Sequence, residues 1–181
     1  MNCHLVAVEV CVERGTNERV DFNGSALDKH GLERLNGKSV QRRRTVQTGA
    51  EAVAVAQRRG YKVVPLIGPS SILLALMASG FNGQTFAFAG YLPVDAGART
   101  ARLREMQRRI ERERQTQIFI ETPYRNSRLI DDLCRTLPST MLLCVASDIT
   151  GPSERIITRP LSWWKQQPPL ERVPAIFLLY S

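Results

Sequence analysis

The chain lacks the features that would assign it at once to a membrane or secreted class. Its 181 residues contain no apolar run long enough to span a bilayer. The stretch Met1–Leu5 shows no basic region followed by an apolar core, so no secretory signal is evident. Apolar residues make up 43% of the chain, an ordinary globular value. These absences make a cytoplasmic location without membrane contact the default expectation.

Cysteine and histidine are too few, and too widely spaced, for a recognisable metal site. The chain has four cysteines, none of them in a CxxC pair, and two histidines at no ligand-like spacing. Cys134 and Cys144 lie in apolar segments and are expected to be small core residues. No metal cofactor is therefore expected.

Positive charge is in excess, at 25 Lys plus Arg against 17 Asp plus Glu, a net charge of +8. Such a balance favours an anionic partner, with RNA first, although an arginine-rich composition bias gives the same count. The predicted helix Arg99–Arg114 is long and strongly basic. It could run along phosphates, or it could be a solvated helix whose glutamates offset its charge.

Strands and helices alternate from Thr48 onward, which predicts an α/β architecture with a mixed sheet. The strand before Thr122 and the strand over Thr140–Ala146 could be parallel, since one helix joins them. A further strand is predicted at Leu5–Val12. The strands predicted after Thr48 are Lys62–Ile67, Thr85–Leu92, Gln117–Glu121, Thr140–Ala146, Arg155–Thr158 (strand or turn) and Val173–Tyr180. The helices are Thr48–Gly60, Ile72–Ser79, Arg99–Arg114, Arg128–Thr136 and Pro160–Gln166.

The clearest local pattern is a strand, a tight turn and an apolar helix over Gly60–Gly80. The β-branched residues Val63, Val64 and Ile67 predict a strand buried on both faces. The turn Gly68-Pro69-Ser70-Ser71 lies at the start of the helix, where free N–H groups can bind a carboxylate, a phosphate or a polar ligand edge. An ordinary helix cap explains the same residues.

Three segments in order carry a family resemblance: Val64–Ser71, Phe119–Arg125 and Val173–Phe177. With Phe86–Pro93 between the first two, they resemble the tetrapyrrole methylase family of S-adenosylmethionine-dependent methyltransferases. Within that family they are most similar to the ribosomal RNA small-subunit methyltransferase I group. The resemblance covers about residues 48–181.

The resemblance implies the C-terminal lobe of a two-lobed fold, homodimers, S-adenosyl-L-methionine as cofactor and ribosomal RNA as substrate, with a ribose 2′-hydroxyl as acceptor. Glu121 matches a position near the cofactor in the family and is the candidate catalytic carboxylate, which could hold the acceptor or help remove its proton. Tyr124 and Arg125 are candidate substrate-binding residues, because they could stack on and charge-pair with an RNA acceptor. Asp148 and Thr150 match a cofactor-proximal loop loosely. The cofactor-binding residues it implies are Gly68, Pro69, Ser70, Ser71, Glu121, Pro174 and Ala175.

Each of these residues also has a plain structural explanation. Glu121 could form an ion pair with Arg125 or Arg128. Tyr124 and Arg125 could be a solvated first turn of helix. The Pro174–Ala175 segment could be an ordinary edge strand, where proline is tolerated.

The N-terminal part departs from the family pattern. Residues 1–47 do not resemble the family's first lobe, so they are expected to form an irregular leader, with the C-terminal lobe and the last helix of the N-terminal lobe in 48–181. A truncated or frameshifted gene is the hypothesis, and reading the upstream DNA in all three frames tests it. Two alternatives stay open: a methyltransferase acting on a tetrapyrrole, or an inactive half-protein that binds RNA or dimerises.

Overall fold

The computed structural model describes residues 10–14, 18–21, 48–65 and 68–181. The chain divides into two compact units, Met1–Ser70 and Ser71–Ser181. The division expected from the sequence, between residues 47 and 48, follows family resemblance rather than compactness, and it stays a prediction.

The described residues of the first unit form a small antiparallel sheet and one helix. Its elements are β1 (Val10–Arg14), β2 (Glu18–Asp21), α1 (Thr48–Arg58) and β3 (Lys62–Pro65), with the strand order β2-β1-β3. β1 overlaps the strand predicted at Leu5–Val12, of which residues 5–9 lie outside the described residues. β2 forms where the sequence shows no periodicity, because its pairing with β1 is made by the main chain.

The prediction that β3 is buried on both faces is wrong. Lys62 and Pro65 are exposed, and Val63 and Val64 are only half-buried. β3 is the edge strand of a three-stranded sheet, so β-branched residues here reflect strand propensity rather than burial. Residues 66 and 67, which the prediction included in this strand, lie outside the described part of the chain.

The second unit follows the predicted order of elements closely. The predicted strands and helices after Ser71 are all present, most with ends shifted by one to three residues. The elements are α2 (Ser71–Ser79), β4 (Phe86–Tyr91), α3 (Ala96–Glu113), β5 (Thr116–Glu121), a 3₁₀ turn (Pro123–Arg125), α4 (Asn126–Thr136), β6 (Leu142–Ser147), β7 (Arg155–Pro160), α5 (Leu161–Trp164) and β8 (Ala175–Tyr180).

The five strands of this unit form one mixed sheet in the order β4-β5-β8-β6-β7. β4 and β5 are parallel, and β8 lies between β5 and β6, antiparallel to both. β5 and β6 therefore run in the same direction, as the sequence indicates, although they are not neighbours. The expected α/β class with a mixed sheet is confirmed.

Helices α3, α4 and α5 pack on one face of the sheet and share a hydrophobic core with it. Phe119 and Phe177 stack at 5.8 Å between ring centroids and are wholly buried. The predicted apolar stripe of α3, formed by Leu103, Met106 and Ile110, packs into this core. Among the described residues, no helix is both long and apolar enough to cross a membrane.

Helix α2 packs on the other face, against β6, β7 and β8. At its end, the Ser79 carbonyl accepts a hydrogen bond from Thr158 Oγ1 at 2.8 Å, and the Phe81 ring lies 5.4 Å from that of Tyr180. Tyr180 is the last residue of β8. The start of α2 therefore points toward the opposite ends of these strands, where β8 begins.

Helix α3 begins three residues earlier than predicted, at Ala96, because Asp95 caps it. The Asp95 carboxylate accepts a hydrogen bond from the Ala98 N–H at 2.8 Å. The helix ends at Glu113. Arg114 follows it in the left-handed backbone conformation (φ 50°), and its N–H donates a hydrogen bond to the Ile110 carbonyl at 3.0 Å. The sequence assigns Arg99 to a basic surface, but its side chain is only 5% exposed.

Candidate functional site at one edge of the sheet

The candidate site lies at one end of the three central strands β5, β8 and β6. We call this row of strand ends the sheet edge. Glu121, the last residue of β5, is paired with Ala175, the first residue of β8. Ala175 is in turn paired with Ser147, the last residue of β6. Segments far apart in the sequence thus contribute neighbouring residues to a single row, from which the loops after β5 and β6 extend.

Main-chain and amide hydrogen bonds tie these loops together. The Pro174 carbonyl accepts a hydrogen bond from the Asp148 N–H at 2.9 Å. The preceding carbonyl, that of Val173, accepts one from Asn126 Nδ2 at 3.0 Å. The start of β8 is therefore held from one side by the loop after β6 and from the other by the first residue of α4.

Glu121 is buried and forms an ion pair with Arg125. Its Oε1 accepts hydrogen bonds from Arg125 Nη2 at 2.7 Å, from Arg125 Nε at 3.0 Å and from the Thr122 N–H at 2.7 Å. Of the two ion-pair partners considered, Arg125 is thus the one found. Among the described residues, nothing donates a hydrogen bond to Glu121 Oε2.

Tyr124 and Arg125 extend from the 3₁₀ turn that follows β5. The Tyr124 side chain is 79% exposed, and the guanidinium of Arg172 lies over its ring at 5.5 Å from the centroid. Arg125 is half-buried, and its charge is already balanced by Glu121. An incoming aromatic base would therefore find an exposed ring, while an incoming anion would compete with a carboxylate.

A small cavity of about 30 Å³, enough for one or two water molecules, opens beside Glu121 and is also lined by Arg125 and Arg128. Its wall includes a buried ion pair between Arg99 and Asp132, with 2.5 Å between Nη2 and Oδ2. Arg99 Nη1 also donates to the carbonyls of Pro93 and Val94, at 3.1 and 3.0 Å. This arginine therefore fixes the loop after β4 against α4.

The loop after β6 has an unusual backbone. Asp148 and Thr150 both have positive φ, at 49° and 63°. The Asp148 carboxylate accepts a hydrogen bond from the Ser153 N–H, and Glu154 accepts one from the Thr150 N–H, at 2.9 and 2.7 Å. A Cβ on Gly151 would lie 2.3 Å from Asp148 Oδ1, so the turn requires glycine there. The loop is consequently held in one conformation by its own side chains.

The residues expected from the sequence divide between the two units. Glu121, Tyr124, Arg125, Pro174 and Ala175 meet at this edge of the second unit. Gly68 and Pro69 are exposed and Ser70 is half-buried, and these three belong to the first unit. Ser71 is the first residue of α2. The ligand roles of all of them stay predictions.

The sequence analysis missed Asn126. This residue is fully buried, and its Oδ1 has no hydrogen-bond partner among the described residues. A buried acceptor left unpaired costs about 1–3 kcal/mol. A signal was present: Asn126, Leu129, Ile130 and Leu133 have the spacing of one buried helix face.

The described residues do not form a metal-ion site. Within residues 10–14, 18–21, 48–65 and 68–181, no group of three or more His, Cys, Asp and Glu side chains is placed to hold a metal ion. The site is instead one of carboxylate, guanidinium, amide and aromatic groups at the strand ends of an α/β lobe.

The arrangement described above is an α/β lobe with polar loops at its strand ends, and comparison with known proteins shows what this chain is similar to. The chain is 34% identical over 114 residues to the ribosomal RNA small subunit methyltransferase I of Vibrio cholerae, covering 63% of this chain and 38% of that protein. It is 30% identical over 122 residues to that of Escherichia coli O157:H7, covering 65% and 41%. The chain is thus related to this methyltransferase group, which confirms the resemblance found in the sequence.

The similarity extends over less than half of each of these relatives. No protein-family model matches the chain. Solved structures give weaker similarities. They include the methyltransferase CobJ, at 19% identity and a TM-score of 0.48, covering 75% of this chain and 58% of that one. Another is the uroporphyrin-III C-methyl transferase from Thermus thermophilus complexed with S-adenyl homocysteine, at 22% and 0.42, covering 76% and 61%.

Proposed function

We propose that this chain is the C-terminal lobe of an S-adenosyl-L-methionine-dependent methyltransferase of the cytoplasm, acting on ribosomal RNA at a ribose 2′-hydroxyl. One observation carries the proposal: residues implied by the family resemblance, from segments far apart in the sequence, converge on one row at the sheet edge. The names of the relatives supply the substrate class.

In this proposal the start of β8 borders the cofactor. Pro174 and Ala175 provide its backbone wall, and Asn126 Oδ1 accepts a hydrogen bond from a ligand N–H. Gly68, Pro69, Ser70 and Ser71 contact the cofactor at the start of α2, as the resemblance implies. Gly68, Ser70 and Ser71 offer backbone N–H groups there, whereas Pro69 has none and offers its ring and its carbonyl. When bound, S-adenosyl-L-methionine supplies an electrophilic methyl group on a sulfonium, whose sulfur becomes a neutral thioether as the methyl leaves.

The acceptor is held by the loop after β5. Tyr124 stacks on a base of the RNA, and Arg125 shares its charge between Glu121 and a phosphate. Glu121 Oε2, which has no donor among the described residues, accepts the hydrogen bond of the attacking hydroxyl and takes its proton. Most of the rate enhancement would come from aligning these groups and excluding water.

The first experiment is a calorimetric titration of the purified chain with S-adenosylhomocysteine. We expect binding near 1 µM, equivalent to about −8 kcal/mol. Ser71→Trp, at the start of α2, should abolish it by filling the space above the N–H groups. Met77→Trp is the matched control, since Met77 is on the same helix and 80% exposed.

A folded chain that binds no S-adenosylhomocysteine would refute the proposal for this chain. It would favour the alternative of an inactive half-protein. Equal loss of binding in both tryptophan variants would show that the start of α2 has no special role.

We also propose that the protein forms a homodimer, as the resemblance implies. The supporting feature is the edge strand β4, where Phe86, Phe88 and Tyr91 share one face and are 40%, 40% and 52% exposed. Such a cluster favours association. Sedimentation velocity should give a dimer for the wild type and a monomer for Phe88→Glu. A monomeric wild type at tens of micromolar would contradict this.

A further inference from the structure

Three arginines form a row along the solvent side of α3. Arg104, Arg108 and Arg112 are spaced four residues apart, so they lie on one face, and all three are exposed. With a rise of about 1.5 Å per residue, neighbouring members are about 6 Å apart along the axis and the row is about 12 Å long. We call Arg104, Arg108 and Arg112 the arginine row.

No carboxylate neutralises this row within the described part of the chain. Arg104 donates only to the neutral Gln107 amide, at 3.1 Å, and neither Arg108 nor Arg112 has a side-chain partner there. Glu111, which precedes Arg112 in the sequence, accepts a hydrogen bond at its Oε1 from Gln107 Nε2 at 2.8 Å. The row therefore presents up to three charges to solvent.

The other arginines of the same helix are paired. Arg102 and Arg109 both bind Glu105, at 2.6 and 2.8 Å, and Arg99 binds Asp132. Arg99, Arg102 and Arg109 thus each have an acidic partner, whereas the arginine row has none among the described residues. Each additional Glu–Arg pair would stabilise the helix by a few tenths of a kcal/mol, so helix stability alone would favour pairing the three arginines of the row as well.

The row is directed away from the candidate site. α3 begins just after Val94, which lines the cavity beside Glu121. At the other end, Arg114, the residue after α3, donates a hydrogen bond from its Nη1 to the Ser181 carbonyl at 3.5 Å, just beyond the last residue of β8. An RNA strand whose reactive nucleotide lay at the candidate site could continue along this helix.

We propose that the arginine row binds the phosphodiester backbone of the RNA substrate, one phosphate to each arginine, and so anchors it outside the methyl-transfer site. The proposal rests on the function proposed above. The spacing along the row is comparable to that of successive phosphates on one strand. Guanidinium groups suit phosphate oxygens by geometry as well as by charge.

The test compares RNA binding of three full-length chains across a salt series, by fluorescence anisotropy with a fluorescein-labelled single-stranded oligoribonucleotide. They are the wild type, Arg108→Gln/Arg112→Gln, and the control Arg102→Gln/Arg109→Gln. Both variants lose two charges, but only the first removes unpaired ones. The row variant should lower the slope of log K against log salt by about 1.4, a loss of about 25-fold at 0.1 M relative to 1 M salt. The control should keep the wild-type slope.

Three results would overturn the proposal: an unchanged slope in the row variant, an equal loss in the control, or a wild type that binds no RNA. Displacement of the RNA by polyglutamate of matched charge would also overturn it, because the row would then be a general polyanion surface. All three chains are titrated with S-adenosylhomocysteine in parallel. If the chains bind S-adenosylhomocysteine but the RNA results contradict a role for the arginine row, the RNA-binding proposal fails while the proposed cofactor binding stands.

Discussion

The two ends of α3 use the same residue type in opposite ways. Near its start, Arg99 is 5% exposed, bonded to Asp132 and to two carbonyls of the preceding loop. Farther along, Arg108 and Arg112 are exposed with no described partner. The net charge of +8 counts all of them alike. Only their surroundings separate a charge that shapes the site from charges available to a ligand.

The difference lies in what solvation costs. A buried guanidinium must have its hydrogen bonds and its counter-ion supplied by the protein, so Arg99 is bound to one geometry. An exposed guanidinium is satisfied by water and can exchange water for phosphate at little cost. The first kind of arginine therefore contributes rigidity at the sheet edge, and the second contributes affinity.

The largest expected effect comes from breaking the buried pair. Arg99→Met should lower the free energy of unfolding by about 3–5 kcal/mol, because Asp132 loses its buried partner and two carbonyls lose their donor. Urea denaturation followed by circular dichroism measures it. Arg108→Met, the control on the exposed face of the same helix, should change stability by less than about 0.5 kcal/mol.

Equal midpoints for these two variants would remove the distinction between the ends of α3. A sharper form of the test adds Asp132→Leu to Arg99→Met. Removing both charges should recover part of the loss, since in Arg99→Met the largely buried Asp132 carboxylate keeps only the exposed Arg135 as its ion-pair partner, which costs more than an apolar pair. Failure to recover any stability would mean that the carbonyl hydrogen bonds, rather than the ion pair, carry the effect.

Much of this contrast could be predicted from the sequence, and part of it could not. The stripe Leu103, Met106 and Ile110 predicts the buried face of α3, and the same spacing extended backward reaches Arg99. The sequence analysis stopped at apolar residues and so left Arg99 on a helix that was expected either to be solvated or to run along phosphates. Its partner Asp132 is on another helix, and no local pattern indicates that contact.

The site shows the same limit. Glu121, Tyr124 and Arg125 are adjacent in the sequence, so their proximity follows from one segment. The insertion of β8 between β5 and β6, which brings Ala175 beside Glu121, depends on long-range pairing that periodicity does not reveal. Asn126 was missed because a polar residue at a helix start is usually interpreted as solvated, whereas here it is fully buried.

The smallest expected effect concerns the paired arginines between the two ends of α3. A hydrogen bond from Arg102 lowers the pKa of Glu105 below its ordinary value of 4.5, and Arg109 adds to this. A lowered folded-state pKa stabilises the protein above pH 4.5, and the contribution disappears as the pH falls through the folded-state value. The difference in melting temperature between wild type and Glu105→Gln should therefore be small at neutral pH and vanish in acid. A difference that persists after Glu105 is protonated would mean that packing, and not charge, joins Arg102 and Arg109 to Glu105. Ion pairing would then not be what distinguishes Arg102 and Arg109 from the unpaired arginine row on the same helix.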